Sequence, residues 1–223
     1  MSQYFLKFIS IFIFIIILTS CATHKAQFAD NEENWTLKTP IYDGEIEHTF
    51  YLVGDAGNAD LNKPLEHFNL LREELKDASS NSTVLFLGDN LYPNGLVKKN
   101  DPLRNLAEHR LNVQLNIVTN YKGKAIFIPG NHDYYSNGIK GLNRQETYIN
   151  KRLGENSFLP KNGCPIKKLD ISDEITLIIV DTQWYLEDWN KNPTMNDNCE
   201  IKTREKFFDE FEGLLKKNAT KTI

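Results

Sequence analysis

The sequence predicts an α/β fold, in which short strands alternate with the helices that cover them. Four runs of β-branched and aromatic residues are apolar and too short for helices, so each is expected to form a strand. These runs span residues 49–53, 83–87, 125–129 and 175–180, and the first three are expected to be buried. Segments with apolar residues at helical spacing lie between them, which gives the alternation typical of this fold class.

Three covering helices are predicted. The first spans residues 64–76, with Asn62 as a candidate cap, and the second opens at Asp101 and Pro102. The third spans residues 203–217 and is expected to place four apolar side chains on a core face: Phe207, Phe208, Phe211 and Leu215. Residues 218–223 are predicted to begin another strand.

Three short phrases directly follow the first three strands. They are Gly54-Asp55-Ala56-Gly57, Gly88-Asp89-Asn90-Leu91-Tyr92 and Gly130-Asn131-His132-Asp133. Ligands of open α/β sheets bind outside the carboxyl ends of the strands, so the polar side chains of these phrases are expected to meet in one place. Gly-Asp and Gly-Asn are ordinary turn dipeptides, and any one phrase alone would be a plain turn. Three in order favour a functional site.

The residue types indicate metal chemistry. Carboxylates brought together repel unless a proton or a cation lies between them. Asp55 and Asp89 suit hard cations, Asn131 offers an amide oxygen, and Tyr92 would bind as a phenolate, for which Fe(III) is the natural partner. Two ions about 3.5–4 Å apart would clamp a phosphate and lower the pKa of a bridging water.

These phrases resemble the calcineurin-like metallophosphoesterases and, within them, the purple acid phosphatases. The family pattern runs GDxG, GDxxY and GNH[DE], followed by a His-bearing strand end and GHxH. The generic branch carries His where this chain has Gly57, whereas the purple phosphatases supply the tyrosine found here as Tyr92. The resemblance implies a β-sandwich flanked by helices, of which this chain holds the front part, from about Phe50 to Ile223.

The resemblance also implies roles for the site residues. Asp55 and Tyr92 would bind the first metal, Asp89 would bridge, and Asn131 would bind the second, with iron paired with iron, zinc or manganese. His132 would contact the phosphate or protonate the leaving group, and Asp133 beside it would orient it. On plainer interpretations, Tyr92 is a buried hydroxyl bonded nearby and His132 only braces its loop.

Three histidine ligands of the family would follow the last residue of this chain, and none of its five histidines easily replaces them. A site with four ligands would bind metal weakly. We therefore expect a polypeptide that ends at Ile223 to be catalytically poor or inactive.

The N-terminus carries an export signal. Residues 8–18 are almost wholly apolar, about half the length that crosses a ~30 Å hydrocarbon core, which favours a removable signal peptide over residues 1–20. Leu-Thr-Ser-Cys resembles the bacterial lipoprotein processing site, which would lipidate Cys21, anchor it in the cell envelope and leave residues 21–44 as a tether. A simple secretory leader and an uncleaved anchor are the alternatives. Residues 45–223 would then form one partial phosphoesterase domain.

Composition and cysteine content limit the partners. A formal net charge of −4 without a basic cluster argues against nucleic acid and favours small phosphorylated substrates. Cys164 and Cys199 lie in turn-rich segments, where an oxidising envelope would permit them to pair, but the sequence does not decide whether they do.

Further polar and aromatic residues have less certain roles. Asp181 ends the fourth strand and either caps the next segment or braces the site. An aromatic cluster, formed by Trp184, Tyr185 and Trp189, is expected to pack in the core or an interface rather than to line a pocket. Tyr134 and Tyr135 follow the third phrase and are expected to touch a bound ester.

Two classes of function remain open from the sequence. One is an envelope phosphomonoesterase with a dinuclear centre. A phosphodiesterase or a nucleotide pyrophosphatase stays open within this class, because metal ligands do not select the substrate. The other is a non-catalytic lipoprotein that retains phosphate or partner binding.

Overall fold

The computed structural model describes residues 44–61 and 66–223. The predicted signal peptide, Cys21 and the tether as far as residue 43 lie outside the described residues, as does Asn62, so these predictions are not tested. None of the helices formed by the described residues has the length and apolar character needed to cross a bilayer. Residues 46–223 form one compact unit.

Three parallel strands form the first sheet, in the order β1, β2, β3. These strands are β1 (Thr49–Val53), β2 (Ser82–Leu87) and β3 (Lys124–Ile128). Val53 pairs with Phe86, and Leu87 pairs with Ile128, so the three strands end at one edge of the sheet. The second sheet is an antiparallel pair of β4 (Ile166–Asp170) and β5 (Thr176–Val180).

Helices follow or connect the strands, and the described residues form six. They are α1 (Glu66–Lys76), α2 (Arg104–Val118), α3 (Asn131–Tyr134), α4 (Ile139–Leu153), α5 (Thr182–Leu186) and α6 (Arg204–Lys217). The three predicted helices are confirmed, with α2 beginning after a turn in which Asp101 accepts a hydrogen bond from the Leu103 N–H. Thr203 caps α6 by accepting from the Lys206 N–H at 3.2 Å. Four elements were not predicted from the sequence: β4, α3, α4 and α5.

The core lies on both faces of the parallel sheet. Alternation along β2 directs Val84 and Phe86 into the larger cluster, where Phe86 stacks on Phe127 with ring centroids 4.1 Å apart. Leu85 faces the other way and packs with Ile179 of β5 in a smaller cluster. Parallel strands, covering helices and a second sheet confirm the predicted α/β class.

Some burial predictions are wrong. β1 is the edge strand of the sheet that the described residues form, and its Leu52 is 63% exposed. On α6, Phe207 is buried, whereas Phe208 is 53% exposed because it lies one residue, or about 100°, around the helix. The predicted strand after α6 is a single parallel bridge between Thr222 and Ile175.

Cys164 and Cys199 form a disulfide, with Cα atoms 5.4 Å apart. This settles the pairing that the sequence left open. The bond joins the segment before β4 to the Asn-rich loop before α6.

Candidate metal and phosphate site

The three phrases meet at the edge where the parallel strands end. Asp55 follows β1 and Asp89 follows β2, and both adopt left-handed backbone conformations, with φ of 52° and 50°. Residues other than glycine rarely take this conformation, and it clusters at functional sites. The backbone conformation of these two turns therefore gives the two carboxylates a direction that they would not have if the strands continued in extended conformation.

The Tyr92 hydroxyl joins the two carboxylates. Its oxygen lies 2.6 Å from Asp55 Oδ1 and 2.9 Å from Asp89 Oδ2. A hydroxyl has one proton, so it donates to one carboxylate and leaves its oxygen close to the other without a proton between them. Two carboxylates that share one hydroxyl proton fit a cation better than they fit a closed hydrogen-bond set.

The same contacts keep the phenol protonated when no cation is bound. Donation to Asp55, aided by burial and by Asp89, holds the pKa of Tyr92 well above its ordinary value. Ionisation to a phenolate would therefore require a strong positive charge at this point. The metal role expected for Tyr92 therefore requires a cation that can ionise the phenol.

Asn131 extends this donor set from the loop after β3. Its Nδ2 donates to the Tyr135 hydroxyl at 2.5 Å, which fixes the plane of the amide and leaves Oδ1 as the free acceptor. Asp89 is linked to the same loop, because its Oδ1 accepts from the His132 N–H at 3.0 Å. The four expected metal residues, Asp55, Asp89, Tyr92 and Asn131, are thus brought together.

His132 lies beside them with its ring between two aromatic rings. The ring centroid is 4.2 Å from that of Tyr92 and 4.8 Å from that of Tyr135. His132 Nδ1 lies 2.7 Å from the Pro93 carbonyl oxygen, which can only accept, so Nδ1 carries a proton. Nε2 is then the ring nitrogen left for contact with a ligand.

Asp133 does not hydrogen-bond to the His132 ring, as the expected orienting role would require, and its catalytic role stays a prediction. It is fully buried, and its carboxylate accepts five hydrogen bonds from the loops around it rather than one from the His132 ring. The donors are Gly130 N, Asn90 N and Nδ2, Leu91 N and Gln145 Nε2. Asp133 therefore fastens the loop after β2 to the loop after β3, and the Pro93 carbonyl orients His132 instead.

A cleft of about 480 Å³ opens above the donor set. Asp55, Asp89 and Asn131 line one side, and Tyr135 and residues of α5 line another. Of the two tyrosines expected to touch an ester, Tyr135 lines the cleft and is 53% exposed. Tyr134 is buried, so that part of the prediction is wrong.

The sequence model of the calcineurin-like phosphoesterase family matches residues 48–223, which is more than half of the chain. The chain belongs to the calcineurin-like phosphoesterase family. The comparison with curated proteins and the comparison with solved structures each found no match. Enzymes of this family hydrolyse phosphoesters and in general use two metal ions.

The donor set of this phosphoesterase is poor in the usual metal-binding residues. Within residues 44–61 and 66–223, no three side chains of His, Cys, Asp or Glu lie close enough together to hold a metal ion. Asp55 and Asp89 are the two acidic members, and the phenol of Tyr92 and the amide of Asn131 complete the set. The set is oxygen-rich, which suits hard cations such as Fe(III), Mn(II) or Mg(II).

Several residues that support the phosphoesterase site were missed by the sequence analysis. Arg110 on α2 donates to the Tyr92 carbonyl at 2.7 Å and to the Ala59 carbonyl at 3.0 Å, so it ties two loops together. Gln114, one turn further along, donates to the Asn90 carbonyl at 2.8 Å. Both residues lie on the inner face of a helix, where a polar residue among leucines is a signal that sequence reasoning can use.

The residues of α5 that line the cleft were also missed. Thr182 and Gln183 follow the end of β5, so the rule that places ligands beyond strand ends could have identified them. Asp181 just before them caps α5 by accepting from the Trp184 N–H at 3.0 Å, which is one of its two expected roles. Its other oxygen accepts from the buried Tyr134 hydroxyl, and burial raises the pKa of Asp181 to about 7.

The aromatic cluster packs in the core, as expected. Trp184 is fully buried, with its ring 4.9 Å from Trp189 and 5.7 Å from Phe207. Its Nε1 donates to Asn196 Oδ1 at 2.7 Å. The cluster thus fixes α5, and with it one wall of the cleft, against α6.

Proposed function

We propose that this protein hydrolyses phosphate monoesters with two metal ions held at the carboxyl edge of the parallel sheet. Asp55, Asp89, Tyr92 and Asn131 would supply the ligands. One observation carries the proposal: the Tyr92 hydroxyl lies within 2.9 Å of two carboxylates while it has a single proton to share.

The chain's own residues have defined tasks in such a reaction. Bound metal ions would neutralise the phosphate and lower the pKa of the attacking water. The water oxygen bonds to phosphorus, the bond from phosphorus to the alcohol oxygen breaks, and its electron pair goes to that oxygen. His132, in its imidazolium form with a proton on each ring nitrogen, would give the Nε2 proton to the departing alcohol, while its Nδ1–H stays bonded to the Pro93 carbonyl.

We further propose a purple acid phosphatase type of centre, in which Tyr92 binds Fe(III). The support is the proximity of its hydroxyl to both carboxylates and the presence of Gly57 in place of a histidine. The test uses the full-length protein from its natural gene, loaded with iron and with zinc or manganese. A visible tyrosinate-to-iron absorption is expected, and Tyr92→Phe should abolish it and reduce bound iron.

Tyr148→Phe is the matched control, because the Tyr148 hydroxyl bonds to Asn112 away from the site. It should keep both the colour and the metal content. A Tyr92→Phe protein with unchanged colour would remove Tyr92 from the metal site, whichever ester the protein hydrolyses.

Hydrolysis itself is tested with a simple monoester, its methyl diester and a nucleoside diphosphate. Preference for the monoester, lost on removal of the metals by a chelator, is the expected result. Preference for the diester or for the anhydride would assign the protein to one of the other reactions of its family.

We also propose that the protein is anchored in the bacterial cell envelope through lipidated Cys21. The support is the Leu-Thr-Ser-Cys phrase that follows the apolar segment. Mass spectrometry of membrane-extracted protein should find a diacylglyceryl group on an N-terminal Cys21. An unmodified Cys21 would exclude the anchor and leave the hydrolase proposal intact.

A further inference from the structure

The lining of the cleft combines a polar floor with an apolar rim. Three of its side chains are apolar or aromatic and strongly exposed: Leu87 at 47%, Tyr135 at 53% and Leu186 at 72%. Large apolar side chains exposed together beside a polar cluster are typical of ligand sites, which are mostly apolar with a few placed polar groups. The cleft therefore presents exposed apolar side chains beside its polar floor.

The cleft lacks cations among the described residues that line it. Its charged members are Asp55 and Asp89, and the remaining polar members are neutral. Arginine and lysine are the side chains that hold phosphate groups outside a metal centre. Metal ions at the two carboxylates would neutralise one phosphate, but a second phosphate on the same substrate would find no cation on these walls.

The position of Tyr135 shows where an apolar group would lie. Its ring is 4.8 Å from the ring of His132, the residue that would protonate the departing alcohol, and its hydroxyl is held by Asn131. The alcohol part of an ester is therefore next to an exposed aromatic face when it leaves. Leu186 comes from α5, which the buried Asp181 and Trp184 hold in place.

We propose that the substrates are monophosphate esters whose alcohol part is apolar and aromatic, and that Leu186 and Tyr135 select them. This inference rests on the proposed hydrolase function. Nucleoside diphosphates would be poor substrates because their second phosphate would meet no cation in the cleft. Small polar esters would be poor substrates because they would leave the apolar rim exposed to water.

The first test compares kcat/KM of the metal-loaded full-length protein for phenyl phosphate, glycerol phosphate and adenosine diphosphate. The second test measures the binding of phenylphosphonate and methylphosphonate by calorimetry. It reports the ligand preference without any turnover. We expect phenylphosphonate to bind about tenfold more tightly, which corresponds to burying part of one ring at about 25 cal/mol per Å².

Leu186→Lys should reduce the preference for phenylphosphonate about fivefold or more and improve the use of adenosine diphosphate, since it places a cation on the rim. Leu70→Lys is the control, because Leu70 is 65% exposed on α1 and does not line the cleft. Both positions are exposed, so both variants should fold.

The outcomes separate the inference from the function on which it rests. If the metal-loaded protein hydrolyses no ester yet binds phenylphosphonate selectively, the proposed function fails and the ligand class stands. Equal affinity for the two phosphonates, or a Leu70→Lys protein that changes as Leu186→Lys does, would overturn the inference while leaving hydrolysis untouched.

Discussion

Gly57 and Asp89 are in direct backbone contact: the Gly57 N–H donates to the Asp89 carbonyl oxygen at 3.0 Å. A Cβ atom built on Gly57 would lie 2.4 Å from that same oxygen, which is far inside van der Waals contact. The Gly57 carbonyl in turn accepts from the Tyr92 N–H at 3.0 Å. Gly57 therefore has no room for any side chain, and the loop that carries Tyr92 passes over it.

Gly57→Ala should displace the loop after β2 and weaken metal binding. The methyl group would push Asp89 and Tyr92 away from Asp55, since backbone atoms and not a flexible side chain occupy the space. We expect a loss of stability of about 1–3 kcal/mol and less metal bound per chain. Denaturant unfolding and metal analysis of the purified protein measure the two effects.

Gly213→Ala is the matched control for this substitution. Gly213 lies inside α6 with no atom within 4 Å of its built Cβ. Alanine there should raise stability by about 0.5–1 kcal/mol through its helix propensity and leave metal content unchanged. Normal metal binding by Gly57→Ala would show that the close backbone contact does not shape the site.

Asp133→Asn should separate the loops after β2 and β3 although Asp133 does not line the cleft. Five N–H groups point at the carboxylate, and an amide in its place offers one accepting oxygen and turns an NH₂ group towards donors. Burial raises the pKa of Asp133 to about 6, although the same N–H donors oppose the rise. Losing these bonds should cost about 2–4 kcal/mol.

His132→Ala provides the comparison for Asp133→Asn. His132 is partly exposed and makes one side-chain hydrogen bond, so its removal should leave the unfolding free energy within about 1 kcal/mol while reducing turnover. A stable Asp133→Asn protein with an altered pH profile of turnover would instead support a catalytic role for Asp133.

Much of the site could be predicted because its residues are local to the sequence. A strand followed by Gly-Asp or Gly-Asn places a polar side chain at the strand end, and parallel strands end together, so Asp55, Asp89 and Asn131 meet without further information. Likewise the short apolar runs could form only strands. The α/β class followed from the same patterns.

The remaining features depend on contacts between distant segments. The surroundings of Asp133 could not be predicted, because nothing local shows that Gln145, on the next helix, and two loops enclose it. Tyr134 and Tyr135 are adjacent, and only packing decides that the first is buried against Asp181 while the second faces the cleft. For the same reason the partner of Cys164 became known only from the structure.

Removing the disulfide should destabilise the fold without abolishing the metal site. Cys164 and Cys199 are 35 residues apart, and closing a loop of that length is worth about 3–4 kcal/mol in the unfolded chain. The Cys164→Ser, Cys199→Ser double variant should lose about that amount in denaturant unfolding. The wild type with reductant should unfold at the same denaturant concentration as the double variant. A wild-type unfolding curve that does not change with reductant would argue against the disulfide.

The stability of the protein should fall between about pH 4 and pH 7 because of Asp181. Burial raises the pKa of Asp181 from 3.8 to about 7. The charge of Asp133 adds to this rise, and the hydrogen bonds from Tyr134 and Trp184 oppose it. The folded state therefore holds a proton that the unfolded chain has released, so this stabilisation is complete below about pH 4 and is lost as the pH rises through about 7.

Asp181→Asn should remove this dependence, since the amide keeps a cap for α5 but does not titrate. We compare the unfolding free energies of wild type and variant at each pH. The wild-type value minus the variant value should decrease by a few kcal/mol from pH 4 to pH 7.5, because each pKa unit is worth about 1.4 kcal/mol. Asp170→Asn is the control, because Lys168 and then Thr176 and Lys221 lower the pKa of Asp170 to about 2, outside this range. Parallel curves for wild type and Asp181→Asn would mean that Asp181 is ionised throughout, with its charge held by the Tyr134 hydroxyl and the Trp184 N–H.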